Sequence, residues 1–595
     1  MTHKKLLSKP IAYVMFGGMG FLFLFFCLTG RDLAAEGNIL WTTAYTLKTL
    51  GISLAAGGAL GALVCVGFRR AAQAAEKMQL SPMENSAADG EPDGKGVWKS
   101  LCRRASGRGS GRVFGVSFCL MFLAWLPGFF AYYPAICAYD TPIQMGQIIG
   151  NSFIDHHPIA HTLLIKGAIV LGENIFGSVN SGIAIYILFQ MTFLAFALAV
   201  GMSWLWRWER RRIWLILAQL FCMLYPFQLY MSISVTKDMV FASFFVLQLL
   251  ALYKVLETHR TKELVRFALG TIGMILFRNN GRYAFLVFLV VLFAVFLFGR
   301  QQRRFWGRLL LWALGAFLAG NLMLSMIYKA TNAQQGDKRE MLSAPIQQLA
   351  RTMIYHGGVG MLPEDDNAMG EADKALINDF LLYESYRKYR PEFADPVKSN
   401  TNTYVVRYRA KEFLTTYFRL LTQYPGDFLN AVLAVDAGYL YPGDVSHAYV
   451  NAQEGQAAGG GYVQTRWDDN TMNSYGVYKD SKWQWLHDIM EGWANDNAYL
   501  KIPVLKYLFV PGVWVWLYLL LLGWWVLQRK FRLCIPLSLI FGYYLTLLLG
   551  PTVQLRYIYP IMLAFPFLLF VSANYTLMAG QKVDDVMDEV WEYGR

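Results

Sequence analysis

Apolar runs about as long as a bilayer is thick recur along most of this chain, and no other feature limits its fold so strongly. A hydrocarbon core takes roughly 20 mostly apolar residues per helix. Runs of that kind fall at 11–29, 46–68, 113–133, 181–206, 213–231, 239–256, 264–277, 283–299, 309–328, 506–527, 533–549 and 557–579. Composition agrees: 55% of the 595 residues are hydrophobic and 16% are charged, where ordinary soluble chains carry roughly a quarter charged. The spacing predicts an all-α polytopic membrane protein of about 12 transmembrane helices.

The formal charge of +13 raises the question of nucleic acid. The positive residues gather in short loops between apolar runs, however, where they set membrane orientation. No nucleic-acid partner is expected; membrane lipids are. Residues 1–68 hold two spans, and the first is expected to stay uncleaved, because TGRDLAAEG after it is a poor small-residue cleavage site. Residues 69–112 form a Gly, Ser and charge-rich linker with Arg69, Arg70, Lys95, Lys99, Arg103, Arg104, Arg108 and Arg112, too polar to pack a core and cytoplasmic by the positive-inside rule. A transmembrane module at 113–328, an extracytoplasmic domain at 329–505, three spans at 506–579 and a cytoplasmic tail at 580–595 follow. Periodicity leaves the domain open between α and α+β. It suggests helices at 371–390 and 403–424, and loops at GYLYPGD, AAGGGYV and RWDDN.

Residues 159–177 are also apolar, yet they carry His161, Lys166 and Glu173. Counting them as a span would place Arg207, Arg210, Arg211 and Arg212 outside. They are therefore expected to form an amphipathic helix on the outer surface, and later basic clusters then fall inside. The same count gathers four polar segments on the outer side: 134–180, 232–238, 278–282 and 550–556.

Chemistry concentrates in those segments. Tyr139–His161 holds Asp140, Asp155, His156, His157 and His161 between Pro142 and Pro158. Asp140 suits a general base for an acceptor hydroxyl, or else a helix N-cap before Thr141 and Pro142. His157 and His161, four apart, have metal-ligand spacing, but contact with a sugar or phosphate is the reading preferred. Lys237 and Asp238 lie at a tight turn between apolar runs, as functional ionisable residues or as caps that neutralise one another. Arg278, Asn279, Asn280 and Arg282 make another polar turn, and Arg556 a third; arginine forks fit phosphate oxygens, with snorkelling to lipid headgroups the alternative. Of seven cysteines only Cys137 lies near the outer surface, so no disulfide framework is expected. No GxxxxGK[ST], HExxH or GxSxG motif occurs, which argues against an ATP-driven transporter.

A span followed by YD, an H-P pair opening a surface helix, a span ending in basic residues, and a second acidic residue after the next span together resemble the GT-C membrane glycosyltransferases. Oligosaccharyltransferase catalytic subunits, protein O-mannosyltransferases and aminoarabinose transferases are members. The likeness covers about residues 113–328 by layout. With the phrases SAPIQQLAR, ADPVK and RYIYPIMLAFP, the chain also looks like a Gram-positive membrane protein group assigned to that fold.

The resemblance implies an enzyme of the bacterial plasma membrane. It would move a hexosyl or pentosyl group from a polyprenyl-phosphate sugar donor to a cell-envelope acceptor on the extracytoplasmic face. Asp140 and Asp238 match the acidic residues of the first and second loops and are the expected catalytic pair. Arg278, Lys237 and Arg556 would hold the donor phosphate, and Tyr139, His156, His157, Asn279 and Asn280 would contact substrate. The second loop reads TKD and lacks the paired carboxylates with which oligosaccharyltransferases hold a divalent ion. No cofactor is therefore expected, a divalent metal being the less favoured option. A lipid-linked saccharide transporter or flippase, or a non-catalytic envelope-assembly scaffold, are the competing classes.

Overall fold

A computed structural model describes residues 6–80, 108–208, 212–299, 302–336, 338–359, 368–443 and 463–578. Most of the basic linker, the arginines at 210 and 211, the AAGGGYV loop up to Tyr462 and the C-terminal tail lie outside the described residues. Among the described residues there are helices, turns and isolated bridges, with no strand ladder.

The helices used below are α1 (Lys9–Glu36), α2 (Thr43–Ala74), α3 (Arg108–Ala131), α4 (Thr141–Ile149), α5 (Ile159–Phe176) and α6 (Val179–Trp208). Next come α7 (Arg212–Leu224), α8 (Pro226–Ser232), α9 (Lys237–Thr258), α10 (Thr261–Phe277), α11 (Asn279–Phe298) and α12 (Arg303–Ala330). The later part contributes α13 (Ser343–His356), α14 (Glu371–Phe380), α15 (Ala410–Gln423), α16 (Pro425–Leu440) and α17 (Gln484–Asn495). It closes with α18 (Pro511–Leu527), α19 (Phe531–Leu547) and α20 (Leu555–Met578).

Eight of these helices are long and apolar enough to cross a membrane: α1, α2, α3, α5, α6, α9, α11 and α12. Pro226 cannot continue the hydrogen-bond ladder of α7, and α7 and α8 meet at 49°, making a ninth crossing if the bent pair is one span. The other expected spans are helical but shorter: α10, α18 and α19 are 17 residues each, and the apolar part of α20 is Leu555–Val571. The chain is thus a helical protein of multi-pass membrane character. At its centre is α9, 78% of whose most apolar window is buried.

Close approach of helices rests on glycine where a side chain would collide with backbone. A Cβ on Gly20 would overlap Gly57, and one on Gly61 would overlap the Phe16 carbonyl, which locks α1 onto α2. Gly172 of α5 meets Gly182 of α6 in the same way. Small residues at such contacts are what association within lipid selects, since apolar side chains gain little by leaving a lipid tail.

The orientation of α5 follows from its contacts. Gly172 meets Gly182, while eleven residues earlier His161 meets Tyr186, only four residues further along α6. Both contacts fall on the first turns of α6. Asn180, just beyond α5, exchanges hydrogen bonds of 2.8 and 2.9 Å with the Tyr478 backbone. The adjoining Asp480 N–H donates to the Tyr133 carbonyl at 3.0 Å. The C-terminal end of α5 therefore lies near the C-terminal end of α3. By length and composition alone α5 still qualifies as a span, with mean hydropathy 1.4.

A second apolar core packs Ile346, Leu349 and Met353 of α13 against Ile377 and Phe380 of α14, Phe413 and Leu420 of α15, and Phe428 of α16. The helices expected at 371–390 and 403–424 are found there in shorter pieces. Within the GYLYPGD stretch, α16 continues to Leu440, and Asp468 of RWDDN caps a short helix at Asp469–Ser474. Arg351, fully buried, donates to Asp427 at 2.9 Å, to Tyr389 at 3.3 Å and to the Gly37 carbonyl at 3.4 Å, which ties this core to the end of α1. A further tie is the Ala394 N–H, which donates to the Pro551 carbonyl at 2.9 Å, in the turn that leads to Arg556.

Candidate functional site

The four polar segments meet at one end of the helical bundle. Residues 134–138 run beside 233–235, with Ile136 N–H donating to the Ile233 carbonyl and Val235 N–H to the Ile136 carbonyl, each at 2.9 Å. Thr141 Oγ1 bonds the Val235 carbonyl at 2.8 Å. Beneath them Gln190 of α6 donates to the carbonyls of Ser232 and Ser234 at 3.0 and 2.9 Å. A buried chain supports Gln190, because Tyr186 Oη donates to it at 2.9 Å and lies 2.6 Å from His161 Nε2. Satisfied buried networks of this kind hold one geometry, since an unpaired member is costly.

This clip brings Asp140 to Lys237. The Lys237 ammonium donates to Asp140 Oδ2 at 2.7 Å and to His157 Nδ1 at 3.0 Å. Arg556 grips the same carboxylate through two nitrogens, at 3.2 and 3.3 Å, and its Nη1 lies 3.5 Å from Asp238 Oδ2. Arg278 pairs with Asp238 on the other side. Its backbone, φ −156° and ψ 131°, is the one-residue break between α10 and α11 that turns the guanidinium inward.

Several competing readings of these residues fall away. Asp140 stands at the N-cap of α4, but its side chain makes no capping bond. Lys237 and Asp238 do not pair with each other; Thr236 caps α9 instead, accepting from the Asp238 N–H. Arg278 and Arg556 have side chains only 7% and 6% exposed, which leaves no room for snorkelling. Tyr139 has φ +58°, the left-handed region that an aromatic residue rarely enters. It is held there by the Gln464 N–H on its hydroxyl at 3.2 Å and by the Arg556 guanidinium 4.5 Å from its ring centre. Such strain, beside Asp140, is a mark of functional sites.

Electrostatics set the protonation states. Burial pushes the Asp140 carboxyl up, but Arg556 and then Lys237 outweigh it and hold it well below the usual carboxylate range, so it is ionised. Burial, followed by the Lys237 ammonium, pushes His157 down to about 2, so its ring is neutral. An ammonium only donates, hence Nδ1 of His157 accepts and Nε2 carries the proton. That Nε2–H is buried without a hydrogen-bond partner among the described residues. It is a donor waiting for an acceptor.

The remaining expected residues stand further out. His156 is exposed, edge-on to His157 at 4.5 Å. Asn280 donates to Thr546 at 3.1 Å, away from the charges, and Asn279 is half-buried outside the network. Asp155 accepts from the Gly336 N–H. His157 and His161 diverge, the latter bonding Gln144 and Tyr186. Among the described residues no group of three or more His, Cys, Asp or Glu side chains is placed to hold a metal ion.

Tyr557 was not singled out from sequence, although it lies within RYIYP. Arg278 and Arg556 approach its ring to 4.7 and 4.9 Å, and Arg556 Nη2 donates to its hydroxyl at 3.3 Å. Gln554, which accepts from Arg556 Nε at 2.6 Å, was also missed. An aromatic residue at the start of an apolar run, or an uncharged amide in a short turn, gives little signal of its own.

The fold and site define a multi-pass helical membrane protein with a buried ionic cluster where its interhelical connections converge. The chain belongs to a family of unknown function, DUF6020, whose model matches residues 150–584. His157, Lys237, Asp238, Arg278 and Arg556 fall inside that match, and Asp140 ten residues before it. No curated protein and no solved structure matches the chain.

Proposed function

We propose that this protein is a GT-C-type glycosyltransferase that moves a sugar from a polyprenyl-phosphate carrier to a cell-envelope acceptor, a polymer, lipid or protein. The observation that carries the proposal is the charge count of the cluster. Among the described residues, Lys237, Arg278 and Arg556 pair with Asp140 and Asp238, with His157 neutral, leaving one buried positive charge in excess. A buried charge is expensive unless paired. A sugar phosphodiester carries one negative charge, and the orphaned His157 Nε2–H offers it or its sugar a further hydrogen bond.

The same cluster supports a mechanism. The acceptor oxygen bonds to the anomeric carbon as the carbon–oxygen bond to phosphate breaks, the electron pair leaves on polyprenyl phosphate, and Asp140 takes the hydroxyl proton. One displacement inverts the anomeric centre. The phosphate gains negative charge as it departs, and Lys237, Arg278 and Arg556 stabilise that charge. At rest Asp140 is a poor base, because two cations hold its proton affinity down. When the donor phosphate draws Lys237 and Arg556 toward itself, Asp140 becomes more basic, so base catalysis waits for the donor. The cations already occupy both carboxylates, which favours a reaction independent of a divalent ion.

For topology, we place the cluster on the extracytoplasmic face of a bacterial plasma membrane, with twelve spans and residues 329–505 as an outer domain shaping the acceptor side. Hydrogen bonds between 134–138 and 233–235 require an even number of crossings between them. With α6 and the bent α7–α8 pair crossing, that parity is met when α5 lies along the surface.

The test is transfer of radiolabelled sugar by the purified full-length chain from a panel of polyprenyl-phosphate sugars, with and without chelator. Transfer that survives chelator and is lost in Asp140→Asn supports the proposal. Lipid movement across the bilayer without transfer, or no transfer from any donor, contradicts it.

A further inference from the structure

The Gln484–Asn495 helix presents an apolar stripe that no described residue covers. Met490 and Ala494 are buried on its inner side, and Glu491 accepts from Tyr132 Oη at 2.9 Å and from Arg466 Nε at 3.0 Å. Just before the helix, the Lys482 N–H donates to the Phe130 carbonyl at 2.8 Å and the Trp483 ring lies 5.2 Å from Phe130. The helix is thus fastened to the C-terminal end of α3. Outward it shows Trp485, Ile489 and Trp493, at 64%, 51% and 42% exposure. Residues four apart drift by about 40° on a helix, so the three share one arc. Gln484 and Asp488 flank that arc on the side away from the buried face.

Two observations say what covers the stripe. The first is continuity. Val116, Leu120 and Leu123 form an exposed apolar stripe along α3, which by length and apolarity crosses a membrane, and the same helix face continues through Pro127 to Phe130, where Trp483 sits. The lipid-facing surface of the span therefore runs directly onto the aromatic stripe. The second is charge. Lys482, Lys501 and Lys506 are exposed around the helix, and Tyr507 is only four residues before α18 begins. Tryptophan, tyrosine and lysine together are the residues that settle at a membrane–water boundary.

We infer that the Gln484–Asn495 helix lies in the interface of the bilayer the chain spans, with Trp485, Ile489 and Trp493 among the upper acyl chains, Asp488 toward water, and Lys501 and Lys506 on anionic headgroups. Tyr132 and Tyr133, which this segment grips, lead within seven residues to Asp140. The ionic cluster is thereby held at headgroup depth. Resting on the proposed function, this is the depth at which the phosphate of a lipid-linked sugar would lie; the seating of the helix does not depend on that function.

The experiment places a nitroxide at Ile489→Cys, Trp493→Cys or Asp488→Cys, in a chain whose native cysteines are replaced, reconstituted in phosphatidylglycerol-containing nanodiscs. Positions 489 and 493 should relax more with oxygen than with a water-soluble nickel chelate, and position 488 the reverse. Nickel access at all three positions, or exclusion of both agents from the stripe as under a protein partner, overturns the inference. A second measurement keeps the native cysteines. Brominated phospholipid should quench less of the total fluorescence in Trp485→Phe/Trp493→Phe than in the parent with its 18 tryptophans. Equal quenching would contradict the seating, whether or not sugar transfer is found.

Discussion

Arg556 Nη1 lies 3.2 Å from Asp140 Oδ2, joining two polar turns 416 residues apart. A contact of that reach forms only if the intervening helices return the chain to the same end of the bundle. It also sets the chemistry of Asp140, since the guanidinium that makes it a weak base at rest is a group a phosphate would claim. In the proposed scheme, binding and base strength are coupled through one side chain.

Asp140→Asn separates the two roles. Loss of a general base typically costs 10²–10⁴ in rate, so sugar transfer should fall by about that range. Affinity for polyprenyl phosphate should hold or rise, because Lys237 and Arg556 lose a competing carboxylate. Transfer rate and lipid affinity measured on the same preparation decide this, and joint loss of both would count against the scheme.

The Arg278–Asp238 pair should behave as a buried ion pair. Removing one partner of such a pair leaves an uncompensated charge and typically costs about 3–5 kcal/mol. Asp238→Asn, which leaves three cations facing one carboxylate, should therefore lower the thermal midpoint strongly, and adding Arg278→Met should recover most of that loss. Transfer should stay low in the double variant, since it lacks one of the cations proposed to face the phosphate. Unfolding scans and activity of the single and double variants test the point.

His157 gives a pH signature. Its folded-state pKa, about 2, lies below the ordinary value near 6.5. Below pH 6.5 the unfolded chain gains a proton there that the folded chain refuses, so this residue lowers stability as pH falls from 6.5. His157→Gln, which lacks the titration, should make the fall of the thermal midpoint between pH 7 and pH 5 shallower, leaving the part that His161, pushed down to about 3 by burial, contributes. Asp140, held low, stays charged across that window and adds no slope. Equal slopes in parent and variant would show that His157 titrates normally.

Gly172→Leu tests the crossing of α5 and α6. A side chain there collides with the Gly182 backbone, whereas one at Gly167 of the same helix meets nothing within 4 Å. Overpacking costs typically about 1–3 kcal/mol. The first variant should lose thermal stability and the second should match the parent, as read by unfolding of the purified proteins.

The ionic residues were legible in the sequence because charge beside an apolar run is costly and has few bland explanations. Asp140, Lys237, Asp238, Arg278 and Arg556 stood out for that reason, and the parity of crossings grouped the turns that carry them. The supports did not stand out. Gln190, Tyr186 and Tyr557 sit in apolar helices, where a neutral polar group looks the same whether it lines a site or fills a core. Span bounds were also hard to read: α18 begins at Pro511, five residues into its apolar run, while α10 begins at Thr261, three residues before its own. Arg351 stood in the phrase SAPIQQLAR, yet its burial depends on Asp427, 76 residues on, and on Gly37 at the end of α1, 314 residues back, which no local pattern encodes.

The most direct measurement is equilibrium binding of polyprenyl monophosphate to the purified full-length chain, against the unphosphorylated polyprenol. The ionic cluster should make the phosphate form bind at least about tenfold tighter, roughly 1.4 kcal/mol. Lys237→Gln with Arg556→Gln should remove that preference. Equal binding of the two lipids, or a preference that survives loss of both cations, would contradict the account.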